Sequence, residues 1–303
     1  MKPHPLTSLG TALARSGYTF TAITPLSHAS VNARVQNALA RDVRDVFGWS
    51  RPFSQHLLPA PWLDWLEEAG ALSRIGNNLQ SRIRYATLDD GIYAHSAFPT
   101  DGEDAVFFGP DTYRFVRFVK RHALARGRVV DVGCGSGAGG LSVLRHVSQL
   151  VLGDVNPYAL ELARVNAALA GSDGVQVVRS DVLTGTDGLF DTVLANPPYL
   201  VDDRARTYRH GGDDLGTALG VRIAREAISR LAPGGSLLLY TGAPVVRGRD
   251  VFHERVIAVF ADAGFDLSYE EIDPDVFGEE LRGAAYAEVE RIAAVGLVAT
   301  RTG

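Results

Sequence analysis

From about residue 128 onward the chain alternates short apolar runs with segments of helical period, the pattern of βαβ units around a mainly parallel sheet. Apolar runs at 128–132, 150–154, 175–179, 191–195 and 236–240 predict five strands. Between the second and third, Asn156 suits a helix N-cap, Pro157 the first helical position and Gly171 the end. Near the end, "FDLSYEEID" and "RIAAVGLVAT" have no long helix between them, so an antiparallel pair is expected.

The first hundred residues have a different rhythm. "SLGTALARSG", "SHASVNARVQNALARDVRDVFG" and "APWLDWLEEAGALSRIG" read as helical, the last stopped near Gly70. After them, "LQSRIRYATLDDGIYAHSAF" alternates on both sides of a turn expected at Asp90-Gly91, which predicts a hairpin. Helices followed by a two-stranded wing fit a small winged-helix-like domain; a helical cap over the sheet fits equally. Residues 99–110, rich in turn formers and acids, read as a linker. The expected architecture is therefore α/β, a Rossmann-like mainly parallel sheet over 106–303 behind a smaller helical or winged-helix-like domain at 1–105.

Composition narrows the class. With 46% hydrophobic and 21% charged residues in 303, the chain is an ordinary globular one. A single cysteine, Cys134, allows no internal disulfide and no cysteine-rich metal site, so no metal is expected. No run approaches membrane-spanning length and the start lacks a signal-peptide core, which points to the cytoplasm and away from membranes. The net charge of −5 divides into +2 over residues 1–90 and −7 over the rest, so an anionic partner would sooner touch the front. Nothing in the sequence bears on the oligomeric state.

Candidate chemistry begins at "VVDVGCGSGAGG". Gly133, Gly135 and Gly137 follow the first strand directly and permit positive φ and close approach of backbone to a ligand. Asp154 ends the next strand, where a carboxylate can hold ribose hydroxyls. Gly133, Gly135 and Ala138 equally fit a dinucleotide fingerprint, and NAD carries the same ribose. Two acids favour S-adenosylmethionine. Asp131, two residues before the first glycine, would repel a pyrophosphate but suits a methionine ammonium, and Asp181 suits an adenine amino group. Cys134 inside the loop reads as a small residue tolerated beside the ligand, since no histidine stands near it in sequence to activate it.

The fourth strand runs into "NPPY". Pro197 and Pro198 have fixed φ and no N–H, so they hold the turn rigid without offering competing donors. Asn196 can then accept one hydrogen bond through its side-chain oxygen while a nearby backbone carbonyl accepts another. Two acceptors on one –NH₂ group aim its lone pair at an electrophile, and Tyr199 can stack on the flat group that carries it. In the loop that follows, Arg204, Arg206 and Arg209 are nearly cancelled by Asp202, Asp203, Asp213 and Asp214.

Taken together, "VDVGCGSG", "GDVNPYALELARVNA", "SDV" and "NPPY" resemble the class I S-adenosylmethionine-dependent methyltransferases over roughly residues 108–300. The resemblance implies a seven-stranded sheet with its last strand antiparallel. It also implies a cofactor held by Asp131, Gly133, Cys134, Gly135, Gly137, Asp154, Val155, Asn156, Ser180, Asp181, Val182 and Asn196, with Asn196, Pro197, Pro198 and Tyr199 as the catalytic motif. Within the NPPY group the chain is most similar to the release-factor glutamine methyltransferases, which place a small domain first and carry a Pro-acid-Thr element like "GPDTY" at 109–113. It departs from them by Phe and Gly before that element, Tyr after it, and the hairpin wing. The acceptor implied is a protein amide, with an exocyclic amine of RNA or DNA as the alternative and a small molecule third. Every cofactor residue lies after residue 104, so the later part is expected to bind the cofactor alone.

Overall fold

The computed structural model describes residues 2–122, 127–172, 174–202 and 206–303. The front region holds α1 (Pro5–Arg15), α2 (Pro25–Asn32), α3 (Val43–Phe47) and α4 (Ala60–Glu68). Two hairpins follow, β1 (Leu72–Ile75) with β2 (Asn78–Ser81) and β3 (Ile83–Leu88) with β4 (Gly91–Ser96). The first hairpin was not expected: the helix stops at Glu68, and Gly76, at positive φ, turns the chain back after Ile75. The second turns one residue earlier than expected, through Asp89 and Asp90, because Asp89 adopts the left-handed conformation aspartate tolerates.

The rest of the chain runs α5 (Pro110–His122), β5 (Arg128–Val132), α6 (Ala138–Leu141), β6 (Gln149–Asp154), α7 (Pro157–Leu169), β7 (Gln176–Arg179) and β8 (Phe190–Ala195). Then come α8 (Ala218–Ile228), β9 (Leu231–Val246), β10 (Arg249–Asp250), α9 (Val251–Phe260), β11 (Phe265–Asp273) and β12 (Arg291–Arg301). The sheet order is β11-β12-β9-β8-β5-β6-β7, with β10 paired only to β9. Strands β7, β6, β5, β8 and β9 are mutually parallel, and β12 runs antiparallel to both its neighbours. The α/β class, the seven-stranded path and the antiparallel last strand are as expected.

Alternation along the strands feeds two cores. Leu194 and Leu238 face one side, with Phe115 and Phe118 of α5 and Ala163 of α7. Val193, Leu237 and Leu239 face the other, with Ile223 of α8 and Val256 of α9. A third core joins the front region to α7. Leu9 of α1, Phe47 of α3 and Tyr85 of β3 close over Ala159, Leu162 and Val165. All six of these larger or flanking side chains are buried, and emptying the Leu162 site would cost about 2–5 kcal/mol.

Residues 99–110 are not a bare linker. Ala105, Val106 and Phe108 are buried, and the carbonyl of Asp104 accepts the Asn156 side-chain N–H at 2.7 Å. Among the described residues, no helix is long and apolar enough to cross a membrane, and no cluster of three metal-binding side chains occurs.

Candidate active site

Register decides where the loops meet. Val132 of β5 pairs with Gly153 of β6 on one side and Ala195 of β8 on the other, and Asp154 pairs with Arg179 of β7. Four loops therefore leave the sheet side by side at its carboxyl edge: 133–137, 154–156, 180–182 and 196–199. Parallel sheets bind ligands at this edge because the chain reverses away on opposite faces there. They surround a cavity of about 460 Å³.

The glycine loop earns its glycines. Gly133, Gly135 and Gly137 all have positive φ, between 53° and 78°. Their roles differ. Gly133 and Gly135 line the cavity beside Cys134, whereas Gly137 does not: it is the left-handed N-cap residue of α6. A Cβ on Gly139 or Gly140 would meet Phe115 or Leu152 closer than 3 Å, so only glycine lets α6 seat against the sheet. That seat places the Gly140 N–H 2.7 Å from Asp131 Oδ2.

Asp131 and Asp154 line the cavity with almost no exposed surface. Burial pushes Asp131 up to about 7, with the neighbouring Asp154 charge adding to it and the Gly140 N–H opposing. Asp154 is raised by burial too, against N–H donors from Asn156 and Gly135, each at 2.9 Å. No cation pairs with either acid among the described residues. Two buried carboxylates with unanswered charge fit a ligand that brings an ammonium to one and hydroxyls to the other. Val155 follows Asp154 directly, on the cavity and exposed, an apolar surface suited to a flat ring.

Other expected residues are at the cavity but occupied. Asn156 caps α7 through its side-chain oxygen, which accepts the Tyr158 N–H at 2.9 Å, and gives its amide to Asp104. Ser180 donates to the Val182 carbonyl and accepts the Gly185 N–H, building a turn in which Val182 has φ +52°. Asp181 is exposed and its carboxylate is held by both Nη atoms of Arg222, at 2.9 and 2.8 Å. An adenine amino group would have to share it with that arginine. The Cys134 thiol is buried and pushed up in pKa, the opposite of an activated nucleophile.

At the NPPY turn, Asn196, Pro197, Pro198 and Tyr199 all line the cavity. The Asn196 side chain is half-buried and has no hydrogen-bond partner among the described residues, nor does the Pro197 carbonyl. Tyr199 is fixed instead. Its ring lies on Gly242, where any Cβ would fall 2.1 Å from Cδ2, and meets Phe277 edge-on at 5.8 Å. Its hydroxyl donates to Asp111 Oδ2, and the Tyr240 hydroxyl donates to Asp111 Oδ1 at 3.0 Å.

Asp111 is the acid of "GPDTY", in the first turn of α5, and sequence reasoning gave it no role. Its carboxyl is raised by burial, although Tyr199, Tyr240 and Arg114 all bond to it. Phe107, Tyr208 and Phe277 were also missed as cavity lining; each comes from a loop without periodic pattern. In the loop after NPPY, Arg206 grips Asp202, holding its carboxyl down at about 2, and Arg209 pairs with Glu280. Asp203 and Arg204 lie outside the described residues.

Residues 112–245 match the family model of the methyltransferase small domain. The release factor glutamine methyltransferase of Deinococcus radiodurans is 42% identical over 124 residues, 37% of this chain and 44% of that protein. The ribosomal RNA small subunit methyltransferase C of Serratia proteamaculans is 34% identical over 120 residues, 39% of this chain and 31% of that protein. The chain thus spans less than half the length of either relative. A solved structure of Trm5b from Pyrococcus abyssi shares the fold, with a TM-score of 0.52 at 14% identity over 77% of this chain and 62% of that one. Residues 112–245 thus carry the methyltransferase small domain, on a sheet whose order and carboxyl-edge cavity are similar to those of the class I S-adenosylmethionine-dependent methyltransferases.

Proposed function

We propose that the protein transfers a methyl group from S-adenosylmethionine to a planar amide nitrogen, the side chain of a protein glutamine. The observation that carries this reading is the pair of unpartnered acceptors at the NPPY turn, on the same cavity as Asp131 and Asp154. Bound there, S-adenosylmethionine supplies an electrophilic methyl on sulfur. Asp131 would hold its ammonium and Asp154 its ribose diol, and Val155 would offer apolar surface to the adenine. Asn196 Oδ1 and the Pro197 carbonyl each accept one N–H of the acceptor's –NH₂ group, which turns the nitrogen lone pair toward the methyl. An amide nitrogen is a poor nucleophile because its lone pair is delocalised, so holding both its protons favours the geometry in which that lone pair is localised. The rigid prolines keep both acceptors in place, and Asp111 keeps the Tyr199 ring from swinging into the space. The front region, residues 1–105, selects the acceptor.

The 42% identity to a release factor glutamine methyltransferase supports a protein acceptor. A second reading, an exocyclic base amine in RNA, is supported by the ribosomal RNA methyltransferase relatives and the slightly basic front. One experiment divides them. Labelled S-adenosylmethionine is offered with a bacterial release factor or with small-subunit ribosomal RNA, and the product is mapped by mass spectrometry. Label on a release-factor glutamine supports the first reading; label confined to RNA sinks it. In either case Asn196→Ala should lower kcat by about 10²-fold and leave S-adenosylhomocysteine affinity unchanged.

A further inference from the structure

Away from the cavity, the front region buries a positive charge that meets the Phe20 ring, 5.5 Å from the guanidinium carbon, and no carboxylate. Arg84 of β3 has 4% of its surface exposed, and its Nε and Nη2 have no hydrogen-bond partner. These two atoms form one edge of the guanidinium, the edge that takes both oxygens of a carboxylate or phosphate at once. Elsewhere in the same molecule that edge is filled. Arg249 gives Nε and Nη2 to the two oxygens of Glu254 at 2.7 and 2.8 Å, and Arg206 does the same to Asp202 at 3.0 and 2.5 Å. Arg84 offers the same edge to nothing.

Two histidines stand with it. His95 is the residue directly opposite Arg84 on β4, so both side chains leave the same face of the hairpin. His28 reaches the place from α2, its ring centroid 4.2 Å from that of Phe98 and 5.0 Å from that of Trp49, tilted against both. Each histidine is 1% exposed and has one nitrogen bound to a backbone carbonyl: His28 Nε2 to Trp49 at 2.9 Å, His95 Nδ1 to Ser96 at 3.1 Å. The other nitrogen of each, His28 Nδ1 and His95 Nε2, is buried and unpartnered. Four orphan nitrogens in one neighbourhood call for an occupant, because each buried polar group without a partner is costly.

We infer that Arg84, His28 and His95 form a buried site for a small free oxyanion, a phosphate or a short carboxylate. With Arg84 4% exposed and each histidine 1% exposed, no polymer reaches these nitrogens. Charges facing the site are otherwise positive or neutral. Among the described residues, Tyr18 and Tyr113 are the acidic groups acting on Arg84, and each donates its hydroxyl to a backbone carbonyl, Tyr85 and Thr87 respectively. Arg44 lies over Phe20, and Arg51 is committed to Asp45. Burial, with the Arg84 charge, holds His28 down at about 4 and His95 well below its ordinary value. Both rings are therefore neutral near pH 7 with lone pairs on the orphan nitrogens. An arriving anion reverses that balance: it pairs with Arg84 and draws protons onto the two rings, so it binds more tightly as pH falls.

Thermal unfolding tests this in the full chain at fixed ionic strength, with chloride replaced by inorganic phosphate or by acetate. Phosphate at about 100 times its dissociation constant should raise the wild-type Tm by about 4–8 °C, and by more at pH 6 than at pH 8. Arg84→Met keeps the bulk of the side chain and should lose the response. His95→Gln should keep a response and lose part of its pH dependence. Acetate acting as well as phosphate identifies a planar site, and phosphate alone a tetrahedral one. An equal response in Arg84→Met overturns the inference. So does a wild type that treats phosphate and chloride alike, which needs no variant to fold, or ordered water along the Nε–Nη2 edge in crystals grown in phosphate.

Discussion

Replacing Asp131 with asparagine should stabilise the free protein and weaken its hold on the cofactor, two effects of opposite sign from one side chain. Burial holds the Asp131 carboxyl up at about 7, against an ordinary value near 3.9. A carboxyl raised in the folded state destabilises the fold progressively as pH climbs from about 4 to 7, and fully above that. The gap corresponds to on the order of 4 kcal/mol at pH 8 and nothing at pH 4. Asparagine removes it while its side-chain oxygen still accepts the Gly140 N–H. Cofactor binding changes in the other direction, because the ammonium loses a charge-assisted partner worth about 1.5–3 kcal/mol, roughly ten- to a hundredfold in affinity. Wild-type affinity for S-adenosylhomocysteine should also fall about eightfold between pH 7.5 and pH 6.0 as Asp131 takes up a proton, and the variant should be flat. Melting curves of the free protein and calorimetry with S-adenosylhomocysteine across that range measure both. A variant no more stable than wild type at pH 8, with wild-type affinity flat in pH, would refute the placement of the ammonium at Asp131.

Asp154→Ala should weaken S-adenosylhomocysteine binding by at least tenfold in calorimetry, and unchanged affinity in a folded variant removes it from the ribose. Asp111→Ala strands two buried hydroxyls and should lower stability by about 2–4 kcal/mol in denaturant titration; Asp111→Asn, which still accepts from one of them, should recover part of that. Removing residues 1–103 uncovers Ala159, Leu162 and Val165 and should yield aggregated protein. A soluble truncated chain with wild-type affinity for S-adenosylhomocysteine contradicts the shared core.

That last expectation reverses the one drawn from sequence, and the reason is instructive. Cofactor residues could be placed from sequence because strand ends, glycines and acids follow a local grammar. The packing of α1 and the hairpins onto α7 depends on contacts some seventy to a hundred and sixty residues apart, such as Gly10 against Leu169, which no local pattern encodes. The five parallel strands were legible because apolar runs ended in turn formers. The β1–β2 hairpin was hidden because "ALSRIG" continues the apolar spacing of α4, although Gly76-Asn77 is itself a turn signal. At the site, Asn196 and the buried acids could be read, but Asp111 could not. Its importance comes from the Tyr199 and Tyr240 hydroxyls, which arrive from the turn after β8 and from β9 only after folding.

Asn166 of α7 makes three bonds with one buried amide. It accepts the Ala94 N–H at 2.7 Å, donates to the Ala94 carbonyl at 3.0 Å, and donates to the carbonyl of Ser136 in the glycine loop at 2.8 Å. The hairpin that would meet the acceptor and the loop that would cradle the cofactor thus share a single side chain. Any tightening of the loop around its ligand stiffens β4 by the same amide, and any strain that the acceptor puts on β4 is felt at Ser136. An acceptor that strained β4 would then be linked to the cofactor, and thermodynamic reciprocity would require each ligand to change the other's affinity by one common factor.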